Sequence, residues 1–272
     1  MLKMGLHPIS DREWIEPFSI SVLEQFVQHK RHQLETGKGA ALVHECANEA
    51  LAELQGCLFD YLSENSQDYP ALSGERRLFD VESSASEELL ENMSLWLPDD
   101  ICILQPQACL GQQGEDYVLT AASVLSPSHW NPKEKFLKPL ALIHQPIPGF
   151  DTELTPKVTR FFNHLKEGKP VVRYNWGLQP GAALNWQAEN EPALIEASHV
   201  HYRSERQTLL RLPKSGAVVF FIRIDLCPLG LLCERYNDPA ALDKLKAFVR
   251  KMPLAQKTYK GIHRFPWLLK ES

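Results

Sequence analysis

The stretch HVHYRSERQTLLRLPKSGAVVFFIRIDL, residues 199–226, decides the fold class. Its two β-rich runs, His199 to Leu212 and Ala217 to Leu226, flank the turn Pro213-Lys214-Ser215-Gly216, so they read as an antiparallel hairpin. Alternate residues of a strand share a face. Arg203, Glu205, Gln207, Leu209 and Arg211 point one way; Tyr202, Ser204, Arg206, Thr208, Leu210 and Leu212 point the other. The partner run AVVFFIRID is nearly all apolar, so the sheet is expected to be covered on both faces. Arginines there need anionic partners. Glu205 serves as one, and a ligand's carboxylate or phosphate suits the planar guanidinium fork as another. A purely internal Arg–Glu network is the structural alternative. His199 and His201 flank Val200 at a spacing that metal sites use, but no third ligand stands nearby in sequence, and a surface pair is the simpler reading.

Working outward from the hairpin, the chain before it is helical first and β-rich later. Trp14 to Leu34 reads as a helix with Ile20, Leu23, Phe26 and Val27 on one face. Ala41 to Leu62 reads as a second, with Leu42, Cys46, Ala50, Leu54, Cys57, Leu58 and Tyr61 at helical spacing. Ser84 to Leu97 reads as a third, with Ser83 or Ser84 as its N-cap. Beyond Pro98, Ile101 to Leu104 and Tyr117 to Val124 form a second hairpin with a long loop. Thr152 to Leu165 is helical, capped by Thr152 or Thr155, and Pro170 to Trp176 is a strand. Trp186 to Ala197 carries no clear signal. Pro239 to Lys251 is a last amphipathic helix, followed by an aromatic tail with few structural signals. Helices first, then an antiparallel sheet with helices inserted, make an α+β fold. No linker divides residues 1–272, so one domain is expected, helical over about 1–98 and sheet-rich over about 99–272.

A net charge of -5 with both signs scattered argues against a nucleic-acid binder, which needs a basic face for phosphates. No apolar run reaches the length of a membrane span, and the N-terminus has no apolar signal region. The six cysteines form no CxxC pair, which fits reduced thiols in a cytoplasmic protein. P-loop, Rossmann, G-x-S-x-G and H-E-x-x-H motifs are all missing from the sequence.

The remaining chemistry lies in SPSHWNPKEKFLKPLALIHQPIPGF, residues 126–150, whose proline density predicts irregular backbone held in place by its surroundings. His144 follows the apolar run Leu140 to Ile143 and precedes Gln145-Pro146, which predicts an extended turn. An imidazole set in one direction suits an axial haem ligand or a general base; a histidine pinning the turn to a backbone carbonyl is the structural alternative. Trp130, next to His129, packs on a flat ligand or on the core. Lys133, Lys135 and Lys138 are expected in solvent.

The chain resembles the haem-dependent oxidative N-demethylase α-subunit family. The resemblance lies in MGLHPISDREWIE at the start, GEDYVLTAASVLSPSHWNPKEKFLKPLALIHQPIPGF in the middle, RYNW at Arg173 to Trp176, RSERQTLLRLPKSGAVVFFIR at Arg203 to Arg223, and YKG at Tyr259 to Gly261. It implies a PAS-like α+β fold with a b-type haem in its core. It implies oxidative removal of a methyl group from a small secondary amine with oxygen, giving formaldehyde and the primary amine. Electrons then come from NADPH through separate flavin and iron–sulfur subunits. Carried over by motif, His144 becomes the candidate iron ligand, and Arg173, Arg203, Arg206 and Arg211 the candidates for the haem propionates, with Trp130 as a packing surface. Strand alternation forbids Arg206 from sharing a face with Arg203 and Arg211. The chain departs from the family pattern at Pro17 and at Asp225. A haem sensor or carrier without catalysis is the alternative on the same fold, and a haem-free module is a third.

Overall fold

The computed structural model describes residues 5–71, 85–144, 155–186 and 196–270. The hairpin forms as expected. Strand β6 (Val200–Arg211) pairs antiparallel with β7 (Val218–Pro228), Gln207 lying opposite Ile222 and Arg206 opposite Arg223. Its turn closes through Leu212 N–H donating to Ala217 O, with Gly216 at a φ of 67° that favours glycine.

Strand β5 (Val171–Pro180) adds to the outer side of β6, and β3 (Asp100–Pro106) to the other side of β7. Strand β4 (Tyr117–Ser123) returns beside β3, forming the second expected hairpin. Two very short strands finish the edges: β1 (His7–Pro8) on β5 and β2 (Ala41–Val43) on β4. Among the described residues the result is one seven-stranded antiparallel sheet in the order β1-β5-β6-β7-β3-β4-β2, an α+β architecture.

Alternation along β6 and β7 sends apolar side chains to both sides, and both sides are covered. On one, Leu210, Leu212, Val219 and Phe221 pack with α1 (Ile20–Glu35), α2 (Asn48–Glu64) and α3 (Ser86–Ser94), whose Leu23, Leu54, Leu58 and Leu90 are almost fully buried. Each such leucine contributes about 1.5–3 kcal/mol. On the other, Leu209 and Val218 lie under Leu140 and Ile143 of α5 (Leu140–Ile143) and Phe162 of α6 (Thr155–His164). A third cluster joins Leu178, Val200 and Cys227 to Leu232 of α7 (Leu232–Arg235), to Val249 of α8 (Ala241–Lys251) and to Ile262, Phe265 and Leu268.

Several boundaries differ from expectation for identifiable reasons. The first helix starts at Ile20, not Trp14: Ser19 caps it by accepting from Val22 N–H at 3.3 Å, and Pro17 stands before it. Trp14 and Ile15 instead run into the core as irregular chain. The expected helix from Ala41 begins as strand β2, because the apolar Ala-Leu-Val finds an open edge on β4; a 3₁₀ turn over Glu45–Ala47 then leads into α2. Ala85 holds the N-cap position of α3, while Ser83, Ser84 and Thr152 lie outside the described residues. The proline-rich stretch is not wholly irregular. It holds two single-turn helices, α4 (Pro132–Lys135), with proline in its first turn, and α5, preceded by Pro139. The aromatic tail likewise contains α9 (Leu254–Tyr259).

Candidate functional site

Strands β5 and β6 lie side by side with Arg173 opposite Gln207, Asn175 opposite Glu205 and Gly177 opposite Arg203. These residues share the sheet face that also carries α5 and α6. On β7, Ile222 and Ile224 continue the floor as an apolar strip beside Gln207 and Glu205. A Cβ placed on Gly177 would meet nothing within 4 Å, so the face is open there.

Glu205 is the hub of this floor. Its Oε2 accepts from Asn175 Nδ2 at 3.1 Å and Gln207 Nε2 at 2.9 Å, and its Oε1 from Arg203 Nε at 3.4 Å. That is the anionic partner expected for a buried arginine. Lys260 reaches in from the C-terminal segment, its Nζ donating to Asn175 Oδ1 at 3.3 Å and to Trp176 O, 4.7 Å above the Trp176 ring. Burial pulls the Lys260 pKa down to about 8, against the opposing pull of Glu205. Burial also raises the Tyr259 hydroxyl, with Glu205 adding to it and Arg173 opposing.

Arg173 contrasts with its neighbours on the floor: its Nε is buried and has no hydrogen-bond partner among the described residues. Burial lowers its pKa, and Glu205 and Tyr259 work against the fall. Its charge also reaches His144, whose own pKa is lowered first by burial and further by Arg173. His144 closes α5 with φ -99° and ψ 4°; Gln145 and Pro146, on which the expected extended turn rests, lie outside the described residues. Its Nδ1 lies 3.0 Å from Leu140 O. A carbonyl only accepts, so Nδ1 carries the proton, and in the neutral ring Nε2 carries the lone pair. Asp116 holds α5 and α6 in place, its Oδ2 accepting from Ala141 N–H at 3.0 Å and its Oδ1 from Thr159 Oγ1 at 3.3 Å.

The other sequence candidates have different surroundings. Arg203 donates from Nη1 to Gln179 Oε1 at 3.2 Å and Leu184 O at 2.9 Å, and from Nη2 to Ser126 O. Arg206 lies on the opposite face, as alternation requires, bonded to Glu13 O and to Thr208 Oγ1 at 2.8 Å. Arg211, near the hairpin turn, donates to Gly216 O and Tyr117 Oη, both at 2.9 Å, and to Phe162 O. Trp130 is half-buried against the cluster of Tyr117, Leu140 and Phe162. His129 holds a left-handed backbone, φ 52°, with its ring edge-on to Trp186 at 4.0 Å. His199 sits in the turn before β6 and His201 within the strand. No group of three His, Cys, Asp or Glu able to hold a metal occurs among the described residues.

The structure therefore brings His144 and Arg173 into one electrostatic neighbourhood and links Arg203 to it through Glu205. It separates Arg206 by the thickness of the sheet. Asn175, Asp116, Tyr259 and Lys260 were not among the sequence candidates; the short YKG segment was the one signal for the last two. The departures at Pro17 and Asp225 lie elsewhere: Asp225 is opposite Ser204 on the other face, paired with Arg235 at 2.7 Å, and Pro17 is exposed beside the core residues Trp14, Ile15 and Phe18.

The profile of the family described as "Haem-dependent oxidative N-demethylase, alpha subunit-like" matches residues 10–269. That match spans strands β2 to β7, the helices on both faces of the sheet and the C-terminal segment that carries Lys260, and the chain belongs to the haem-dependent oxidative N-demethylase, alpha subunit-like family.

Proposed function

We propose that this chain is the haem-binding oxygenase subunit of an assembly that oxidatively demethylates a small secondary amine of the dimethylamine type, releasing formaldehyde and the primary amine. The observation that carries the reading is a half-buried imidazole, protonated at Nδ1, within electrostatic reach of a guanidinium whose buried Nε has no hydrogen-bond partner among the described residues. The residues fit haem b: a neutral imidazole nitrogen suits the iron, and a cation suits a propionate. The open floor above Gly177, with Ile222 and Ile224 alongside, suits a flat apolar ring. In this reading His144 would hold the iron through Nε2, with Leu140 O fixing the ring's direction. Arg173 would hold a propionate, and Arg203 and Lys260 keep the surrounding field positive around Glu205. Trp130 closes the apolar wall.

When bound, haem would supply the oxygen chemistry that this chain's side chains lack. Electrons would come from NADPH through separate flavin and iron–sulfur subunits, since the sequence has neither a Rossmann fingerprint nor a cysteine cluster. The family's description as alpha subunit-like supports such an assembly. A cytoplasmic location is part of the proposal; no helix among the described residues is long and apolar enough to cross a membrane.

The PAS-like description is supported by strand order. Counting β3 to β7 as strands one to five, the sheet reads 2-1-5-4-3 from β4 to β5, with α4, α5 and α6 inserted between strands two and three. That order favours the PAS-like reading, and α5 and α6 lie over the same face as Arg173. Both departures from the family pattern lie off that face, which favours a retained reaction over a lost one.

The test is a visible spectrum of protein produced with ample haem, followed by turnover with dimethylamine and a surrogate reductase. A Soret band and formaldehyde are expected. No Soret band would remove the haem reading, and a band without formaldehyde across a panel of methylamines would favour a haem sensor or carrier.

A further inference from the structure

We propose that Cys46 and Cys109 form an oxidisable dithiol, a modification site at which hydrogen peroxide closes a Cys46–Cys109 disulfide with His44 accepting the proton. Cys46 sits in the 3₁₀ turn between β2 and α2, and Cys109 in the turn that follows β3. They come from segments 63 residues apart, yet their sulfurs lie 3.3 Å from each other. A disulfide needs about 2.05 Å, so closure asks for a shift of just over about 1 Å at two turn residues. Both thiols are half-buried and so reachable by a small oxidant, whereas Cys102 and Cys227 are buried. Among the described residues no other two cysteines are bonded to one another.

The surroundings form a built site. His44 Nδ1 accepts from Cys46 N–H at 3.3 Å, so it carries a lone pair, and it lies 3.2 Å from Cys46 Sγ. Gln105 holds the turn, donating from Nε2 to Cys46 O at 3.3 Å while its Oε1 accepts from Thr120 Oγ1 at 2.7 Å. Cys46 is the S–H donor toward Cys109. Burial, and then this bond, push the Cys46 thiol up to about 12, which suits the second, resolving role.

The chemistry balances in two steps. The Cys109 thiolate attacks one peroxide oxygen; the O–O bond breaks, a sulfenic acid forms, and the leaving hydroxide takes up a proton as water. Cys46 then gives its proton to His44 Nδ1 and attacks the Cys109 sulfur. The S–O bond breaks, the S–S bond forms, and the departing hydroxide takes the proton from His44 as a second water. The two thiols lose two electrons and the peroxide gains them. The new bond ties the edge strand β2 and the start of α2 to the tip of the β3–β4 hairpin.

The experiment treats the reduced full chain with a few equivalents of hydrogen peroxide, then follows intact mass, thiol count and a peptide map. The expected result is a loss of two hydrogens, a fall from six thiols to four, and a linked Cys46–Cys109 peptide. Cys46→Ser should stop the linkage and leave a sulfenic acid at Cys109 that dimedone traps; Cys109→Ser should stop it too, and Cys57→Ser should leave it intact. His44→Gln should slow closure at least about tenfold. Oxygen addition without linkage in the unaltered chain, a linkage through other cysteines, or linkage surviving in either serine variant would overturn the site. An unchanged rate in His44→Gln would overturn the role given to His44.

Discussion

Three of the candidate arginines act as staples between the sheet and distant backbone. Arg203 holds the carbonyls of Ser126 and Leu184, Arg206 that of Glu13, and Arg211 those of Phe162 and Gly216. Among the described residues Arg173 makes no comparable bond, and its Nε, like that of Arg211, is buried without one. The two kinds of arginine should separate on substitution. Arg203→Ala leaves Glu205 without its buried cation and should cost about 3–5 kcal/mol, read by urea unfolding. Arg173→Ala should leave unfolding within about 1 kcal/mol but lower haem retention at least about tenfold, read by haem transfer to a competing apoprotein. Lys30 makes a different residue-scale prediction. It is wholly buried, donating to the carbonyls of Ser94 at 2.7 Å, Leu97 at 3.0 Å and Asp99 at 2.6 Å, and desolvation brings its pKa down to about 8. Between that value and 10.5 the unfolded chain holds more protons than the folded one, so stability rises with pH across this window. The full gain is on the order of 3 kcal/mol. Urea midpoints from pH 7.5 to 10.5 should show this slope in the native chain and a smaller one in Lys30→Met, where Lys260 still titrates.

At the scale of elements, His144 is held by a one-turn helix too short to be stable alone. Its position depends on Pro139 before it, on the bond from Nδ1 to Leu140 O and on Asp116, which grips α5 and α6 together. Asp116→Ala should therefore destabilise the fold by about 1–3 kcal/mol and also disturb the proposed haem site without touching it. The second effect is checked by a weakened or broadened Soret band at a temperature where the variant stays folded. Much of this scale is legible in sequence. The hairpin at residues 199–226 is readable because period-two alternation, turn chemistry and β-branched composition agree. Ala41 to Val43 is not, because a short apolar run fits either period and the open edge of β4 decides the outcome. The Trp14 segment misleads for a related reason: its apolar residues suit a helix, but Pro17 and the Ser19 cap set the start later. Lys260 meets Asn175 from 85 residues away, a closure that no local pattern encodes.

For the whole molecule, the sheet divides labour between its faces. One is packed with the N-terminal helices and holds the buried pair Arg223–Asp99; the other carries the polar floor and the inserted helices. Strand alternation alone announces this division, and with it the separation of Arg206 from the site. Which face takes a ligand is not readable from alternation, since it depends on where the residues after β4 fold back. A cofactor bound only by the folded chain should stabilise all of it. At about 100 times its dissociation constant, haem should add about 2.7 kcal/mol. A thermal melt with and without added haemin should show the higher midpoint with haemin, and His144→Ala should lose most of the difference.

The edge of β5 adds one consequence for the protein in solution. Strand β1 pairs with this ten-residue strand only at Val171 and Val172, and farther along the edge the Lys260 ammonium sits on the Trp176 carbonyl. A strand from a neighbouring copy that tried to extend the sheet there would have to break that bond and strip water from the cation. The lysine thus acts as a guard against edge-to-edge aggregation, and it keeps an eighth strand of foreign origin from joining the sheet beside the polar floor.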